Sequence, residues 1–325
     1  MPEMLEVRNL KTYFPVRVGI LDSLRGKKYF VKAVDGISFS IDRGEIFGLI
    51  GESGCGKTTA GRSVLRLVEP TGGEVIFDGV DVLKLGKEEL RRIRRRMQII
   101  FQDPYASLSP RMKIGEAIAH PLIIHGIADR REAREIALRM LKRVGLTPEE
   151  EYYDRYPNQL SGGQRQRVAI ARAMALKPDF VVADEAVSMI DVSMRASILE
   201  LLEEFRRDYR LSMLFITHDI AVARLIADRT AVMYLGKIVE LGKTRRLIDN
   251  PIHPYTKALV NAAPSITRRE RREKVKLRGE VPNAVNPPKG CRLSNRCPFA
   301  TDICRTKEPE LREVESGHFV ACHLA

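Results

Sequence analysis

Residues 45–59 read EIFGLIGESGCGKTT, and this stretch decides the fold. Residues 45–50 form a short, nearly continuous apolar run, which suits a strand buried on both faces of a parallel sheet. Gly51 to Thr58 then fits G-x-x-x-x-G-K-[ST], placed between that strand and a helical stretch from Lys57 to about Val68. Gly51, Gly54 and Gly56 let backbone N–H groups curl around phosphate oxygens, and the helix N-terminus adds the positive end of its dipole. Lys57 can reach the β- and γ-phosphates of a nucleotide, and the Thr58 hydroxyl can ligate Mg²⁺. Ser53, Cys55 and Thr59 complete the expected nucleotide-binding set. Cys55 admits two readings, a redox switch on nucleotide binding and a small residue that fits a tight loop; the second carries more weight.

Outward from this loop, strand and helix patterns alternate. Residues 4–14 and 29–42 alternate apolar and polar residues and read as strands, with a basic loop, VRVGILDSLRGKK, inserted at 16–28. GGEVIFDG at 72–79 reads as an edge strand, 87–96 as a charged helix and 97–102 as a strand. Residues 110–146 carry apolar spacing near 3.6 and are expected to break at His120-Pro121 and at Gly126. A helix at 161–176, a strand at 180–184, a helix at 192–208 and a strand at 212–217 follow. The alternation predicts an α/β fold with a parallel sheet covered by helices. Proline becomes frequent and charge clusters after Asn250, so a boundary is expected there, with a main domain over 1–249 and a small C-terminal domain over 250–325.

Composition removes several classes of function. The chain has 325 residues, 44% hydrophobic and 30% charged, which suits one or two domains rather than a disordered chain. No run of about 18 apolar residues is present to span a bilayer. The first residues, MPEMLEVRNLKTYF, lack the apolar core of a secretory signal, which predicts a cytoplasmic chain, at most on a membrane surface. A formal charge of +13 suits nucleic acid or an anionic membrane face. Much of it sits in two runs, Arg91–Arg96 and Arg268–Lys276, that read first as solvated surface. With no Trp and 6% aromatics the chain lacks base-stacking platforms, so no nucleic-acid partner is expected. Four of five cysteines fall in the last 35 residues, a density that in a cytosolic chain reads as a metal site before disulfides.

Two further elements carry chemistry. Phe180-Val-Val-Ala-Asp184-Glu185 is an apolar strand ending in two carboxylates; one can organise Mg²⁺ and its water, the other can polarise an attacking water. Residues 160–164 read Leu-Ser-Gly-Gly-Gln, where Ser161 can cap the following helix and the glycines allow a phosphate to approach.

LSGGQ strongly resembles the signature of the ABC ATPases, and the surrounding order matches that family over roughly residues 4–248. Gln102 in IIFQDP resembles the Q-loop glutamine, Ser188-Met-Ile-Asp191 the D-loop and His218 in FITHD the H-loop histidine. The resemblance implies a RecA-like parallel sheet, an antiparallel β subdomain and a helical subdomain inserted at about 103–175. It also implies a head-to-tail dimer with an identical or paralogous ATPase subunit, sandwiching two ATP molecules. Glu185 is then the catalytic carboxylate, His218 holds the γ-phosphate, and Gln102, with Thr58 a ligand of Mg²⁺, senses the nucleotide. Ser161, Gly162, Gly163 and Gln164 face the partner's ATP, Asp184 and Asp191 belong to the ATP site, and Tyr13 stacks on adenine, with Tyr29 or Phe30 as fallback. Ala186 departs from the family, which usually has Pro after the Glu.

The tail narrows the resemblance. NPIHPYTKALVNAAP at 250–264 closely resembles the dipeptide, oligopeptide and nickel import ATPases. That branch implies two membrane-spanning permease subunits, an indirect extracytoplasmic solute-binding protein, and a peripheral place on the cytoplasmic face of the cell membrane. Peptides lead as solute, with nickel or oligosaccharides as alternatives. A soluble ABC ATPase acting on nucleic acid or ribosomes is the reading from another class, and positive charge is its only support. Cys291, Cys297, Cys304 and Cys322 are similar to a tail of the same branch that holds a [4Fe–4S] cluster. Zinc, with His318 and His323 as spare ligands, and free thiols are the alternatives, while His253 reads as structural.

Overall fold

The computed structural model describes residues 3–16, 29–188, 190–263, 275–280, 282, 284–285 and 287–325. The basic insertion from residue 17 to 28 and residues 268–274 of the second basic run lie outside the described residues. The chain divides into two compact units, one of residues 42–45 and 84–215, the other of residues 3–41, 46–83 and 216–325.

The second unit holds strands β1 (Glu3–Val16), β2 (Tyr29–Asp42), β3 (Ile46–Ile50), β4 (Gly72–Phe77) and β5 (Val80–Asp81). Four of them form a sheet in the order β2-β1-β4-β5. On β1 Met4 is buried, and from Leu5 on the buried residues run Leu5, Val7, then Leu10 and Thr12, so the period of two slips by one residue in the middle. A bulge absorbs the slip: the pairing with β4 shifts register between Arg8 and Lys11, and Asn9 sits at φ 46°. The extra residue restores the apolar face to one side. The stretch at 72–79, expected at an edge, instead lies between β1 and β5, because the two residues Val80 and Asp81 turn back to pair with Phe77 and Ile76.

β3 is buried along its whole length, as its sequence predicts. It pairs in parallel with β9 (Arg229–Tyr234), from Phe47 opposite Arg229 to Ile50 opposite Val232. β10 (Lys237–Lys243) runs antiparallel on β9. The tail supplies two strands that its Pro-rich, charged sequence does not announce, β11 (Arg312–Glu315) and β12 (His318–Val320), and β12 pairs with β10 at Glu240 and Leu241. The segment after Asn250 shares one core with these strands: Tyr255, Val260 and Leu293 pack with Ile50, Val232, Tyr234, Leu247 and Ile248.

Glu240, with no exposed surface, anchors that docking. Its carboxylate accepts from the backbone N–H groups of Ile252 and His253, both at 2.9 Å, and hydrogen-bonds His318 Nε2 at 2.8 Å. His253 then caps the helix Pro254–Ala262 by accepting the Tyr255 N–H on Nδ1.

The first unit contains the parallel pair β6 (Met97–Ile100) and β7 (Phe180–Asp184), in register from Met97 opposite Phe180 to Ile100 opposite Ala183. β8 (Ser212–Thr217) follows on the far side of β7. Helices Ile114–Ile124, Arg130–Arg143 and Gly162–Ala175 pack on one another. The break expected at His120-Pro121 does not occur: the first helix runs through Pro121 and ends at His125, before Gly126 at φ 62°. Ile114, Ile118 and Leu122 are all buried, and this continuous face outweighs the hydrogen bond that one proline removes.

His253 sets a pH dependence. Burial pushes its imidazole down to about 4 from an ordinary value near 6.5. The unfolded chain therefore binds a proton that the folded chain refuses, so stability is intact above pH 6.5 and falls as pH drops toward 4, by roughly 3 kcal/mol in all. His253→Asn keeps a cap but cannot titrate. Hydrogen-exchange protection around Glu240 and Tyr255 is expected to decline between pH 6.5 and 4 in the parent and to stay nearly flat in the variant. Equal declines in both would place the titrating group elsewhere.

Candidate nucleotide site and cysteine tail

The candidate residues fall into two sets, one in each unit. In the unit that carries β3, the loop after Ile50 turns tightly. Gly56 sits at φ 107°, and a Cβ there would lie 1.9 Å from the Ala33 carbonyl oxygen; one at Gly51 would lie 2.2 Å from the Met233 oxygen. At Gly54 a Cβ would meet nothing within 4 Å. The loop is thus pressed against a strand at each end, β9 at Gly51 and β2 at Gly56, and open between them, which fits a phosphate lying on its backbone. Lys57 is buried, and its Nζ donates to the carbonyls of Gly51 at 2.7 Å and Glu52 at 2.9 Å. Thr58 and Thr59 lie in the first turn of the helix Lys57–Val64. Cys55 is 3% exposed and burial raises its thiol, the surroundings of an inert packing cysteine rather than a reactive one.

Tyr13 is half-buried, and its hydroxyl donates to Asp35. Burial, with that bond second, pushes the phenol up to about 12. Lys32 Nζ stands 5.5 Å from the ring centroid. The fallback Phe30 is exposed. His218 follows β8 and is exposed, with the next residue, Asp219, capping the helix Ile220–Ile226.

In the other unit Asp184 is buried at the end of β7. Glu185 turns away at φ 47°, and Gln102 Nε2 donates to its Oε2 at 3.0 Å, so two residues 83 apart in sequence meet. The Glu185 carbonyl accepts from the N–H and the hydroxyl of Ser188, at 3.0 and 2.8 Å, which closes the turn with Ala186 in the family's Pro position. Ser161 caps its helix in a reciprocal pair with Gln164, accepting the Gln164 N–H at 3.3 Å while Gln164 Oε1 accepts the Ser161 N–H at 3.0 Å. Ser161 is exposed and Gly162 has open space beside it. Gly163 is buried; a Cβ there would strike Met194 at 2.4 Å. Asp191 is exposed at the start of the helix Val192–Tyr209.

The four tail cysteines lie within electrostatic reach of one another. Burial pushes the Cys291 thiol up to about 11, and the other three thiols add to the rise. Among the described residues no group of three or more His, Cys, Asp or Glu side chains is arranged to hold a metal ion. Neither the iron–sulfur cluster nor the zinc alternative therefore finds a ready-made site among the described residues. The spare ligands for zinc are also engaged, His318 by Glu240 and His323 by the Lys307 carbonyl at 2.9 Å.

Several contacts here had no signal in the sequence. Glu52 has its N–H accepted by the Tyr255 hydroxyl at 2.8 Å and its carboxylate bound by Arg296 at 3.0 Å. Asp35 accepts from both Tyr13 and Arg292. An arginine beside a cysteine has no motif, and only the folded chain shows where it reaches.

Fold and loop together define an ATP-binding cassette. The family described as ABC transporter matches residues 34–188, and the oligopeptide/dipeptide transporter C-terminal region matches residues 239–304. The oligopeptide transport ATP-binding protein AppF of Bacillus subtilis is 48% identical over 325 residues, 99% of this chain and 97% of that protein. The dipeptide transport ATP-binding protein DppF of Haemophilus influenzae is 47% identical over 319 residues, 98% and 96% of the two chains. Among solved structures, the dimeric ABC transporter cassette MJ0796 superposes with a TM-score of 0.65 at 32% identity, over 74% of this chain and 99% of that one. The chain therefore belongs to the ABC transporter family, among the ATP-binding subunits of its oligopeptide/dipeptide branch.

The contact distances at Gly56 make a sharp test of the loop. Gly56→Ala forces a backbone clash at positive φ and is expected to cost several kcal/mol, on the order of 3 or more, and to abolish nucleotide binding. A thermal melt within a degree or two of the parent's, with ATP still bound, would contradict the loop geometry.

Proposed function

We propose that this chain hydrolyses ATP in a head-to-tail dimer with an identical or paralogous subunit, and thereby powers uptake of di- or oligopeptides. Two membrane-spanning permease subunits would carry the solute, fed by an extracytoplasmic solute-binding protein, with this chain peripheral on the cytoplasmic face. Among the described residues no helix is long and apolar enough to cross a membrane, so the spanning part falls to other chains in this reading. Near full-length similarity to proteins named for oligopeptide and dipeptide transport supports the choice of solute.

The observation that carries the hydrolytic reading is the bond from Gln102 to Glu185. An amide that donates to one carboxylate oxygen fixes the plane of that carboxylate, which is what a base aligned with water requires. Lys57 would exchange its two loop carbonyls for phosphate oxygens, with Gly51, Ser53, Gly54, Cys55, Gly56 and Thr59 supplying the backbone cradle. Thr58 and Gln102 would hold Mg²⁺, which neutralises phosphate charge when bound. Tyr13 would stack on adenine and His218 would hold the γ-phosphate. Ser161, Gly162, Gly163 and Gln164 would act on the partner's nucleotide, Ser161 and Gly162 from their open side and Gly163 through its backbone, while Asp184 and Asp191 would order the site.

Purification of the complex from membranes, with its bound subunits identified, tests this reading. Permease subunits and a peptide-binding protein are the expected companions. In that complex Glu185→Gln should bind ATP normally and lower turnover by at least about a hundredfold. Turnover at the parental rate would remove Glu185 from its role.

The four tail cysteines would hold one [4Fe–4S] cluster with a structural task. Their mutual proximity supports this, as does the tail's poverty in aliphatics, since small segments with little apolar area commonly need a staple. Protein purified without oxygen should be brown and carry about four irons per chain. Cys297→Ser should bleach it and expose the tail to proteolysis. Colourless anaerobic protein with one zinc per chain would overturn the assignment.

A further inference from the structure

Arg292 follows Cys291 and Arg296 precedes Cys297, and neither points into the tail's own core. Arg292 is 6% exposed and donates to Asp35, 257 residues earlier. Glu308 adds a second carboxylate at 3.8 Å, while the Nε and Nη1 of Arg292 find no acceptor. A guanidinium buried with so few partners is costly to keep as a stability device alone. Asp35 uses one oxygen for Arg292 and the other for the Tyr13 hydroxyl. Lys32 stands 3.8 Å from the same carboxylate. The Tyr13 bond, then Lys237, Arg292 and Lys32, hold Asp35 below the usual carboxylate range despite its burial, so it stays an ionised acceptor for Tyr13. A phenol tied at its oxygen has the direction of its long axis set, and with it the position of the ring.

Arg296 makes the matching reach at the other end. Its Nη1 donates to Glu52 Oε2 at 3.0 Å and to the Tyr234 hydroxyl at 3.4 Å. The Tyr234 ring packs on Tyr255 with centroids 4.6 Å apart, and the Tyr255 hydroxyl accepts the Glu52 N–H. Glu52 is therefore gripped at backbone and side chain, and its own carbonyl holds Lys57 Nζ. Direct contacts run from the residue beside Cys297 to the ammonium of the phosphate loop.

We infer that Arg292 and Arg296 are positioning residues of the nucleotide site, Arg292 setting the Tyr13 ring at the base end through Asp35, and Arg296 setting the phosphate loop through Glu52. The inference rests on the reading of Tyr13 and of the Gly51–Thr58 loop given above. It makes the cysteine tail part of the ATP site rather than an appendage, and it assigns the two arginines separable effects.

The test measures equilibrium binding of two probes to the full chain, Mg-ATP and magnesium tripolyphosphate, which carries phosphates and no base. Arg292→Met should weaken ATP about tenfold and leave tripolyphosphate unchanged, with Arg292→Lys recovering part of the loss. Arg296→Met should weaken both probes by a similar factor. In a Tyr13→Phe background, Arg292→Met should add less than about twofold, because the link it acts through is already cut. Asp35→Asn reaches the same link from the other side and should reproduce the ATP-only loss if Arg292→Met folds poorly. A uniform loss on both probes from Arg292→Met and Asp35→Asn, or full additivity with Tyr13→Phe, would make Arg292 merely structural and overturn its half. An unchanged affinity for both probes in Arg296→Met would overturn the other. Tyr13→Ala and Lys57→Ala separate the levels. If Tyr13→Ala binds ATP like the parent, the base-end reading falls and takes Arg292 with it. If Tyr13→Ala is weak and Arg292→Met is not, the inference falls alone.

Discussion

The tail of this protein depends on a carboxylate that water does not reach. Glu240 sits in β10 and presents its oxygens to the N–H groups of Ile252 and His253 and to His318. Those N–H groups precede a helix and have no partner within it, so the carboxylate satisfies donors that burial would otherwise strand. The same clamp fixes where the helix Pro254–Ala262 starts, and hence where the Tyr255 hydroxyl points. From there the consequences reach the phosphate loop, because that hydroxyl accepts the N–H of Glu52.

The pattern of the chain made the core of the fold legible. An apolar run of five residues, a glycine-rich turn and a lysine are local features, and the structure buries the run and tightens the turn as such features demand. The helix through Pro121 and the inner position of β4 depart from the local pattern for a shared reason. In both cases a neighbour decides, the buried helix face in one and the two-residue return of Val80 and Asp81 in the other. The strands at 312–315 and 318–320 are three or four residues long and mostly polar, so no periodicity can announce them; they exist because β10 offers an edge.

The candidate site divides in the same way. Residues in motifs, such as Lys57, Gln102 and Glu185, could be named from order along the chain, and the Gln102–Glu185 bond joins two of them. Residues that work by distant pairing could not. Asp35 lies in a strand with an unremarkable pattern, and Arg292 and Arg296 sit among many arginines in a chain with 55 Lys and Arg. Charge counts are blind to which cation is buried, a property these two share with Lys57 and Arg165 among the described residues.

The pairing of β12 with β10 has a consequence for synthesis. β12 is made only after β10 and the tail between them, and the link from Asp35 to Arg292 spans 257 residues. Chains generally fold from the N-terminus as they emerge, and contacts between distant residues form late. The unit that holds the phosphate loop thus waits for Arg292 and β12 to emerge, with the edge of β10 uncovered until then. An open strand edge is a template for pairing with other chains. A nascent protein of this kind has a stake in chaperones, and a stop codon before β12 would remove the strand that covers β10.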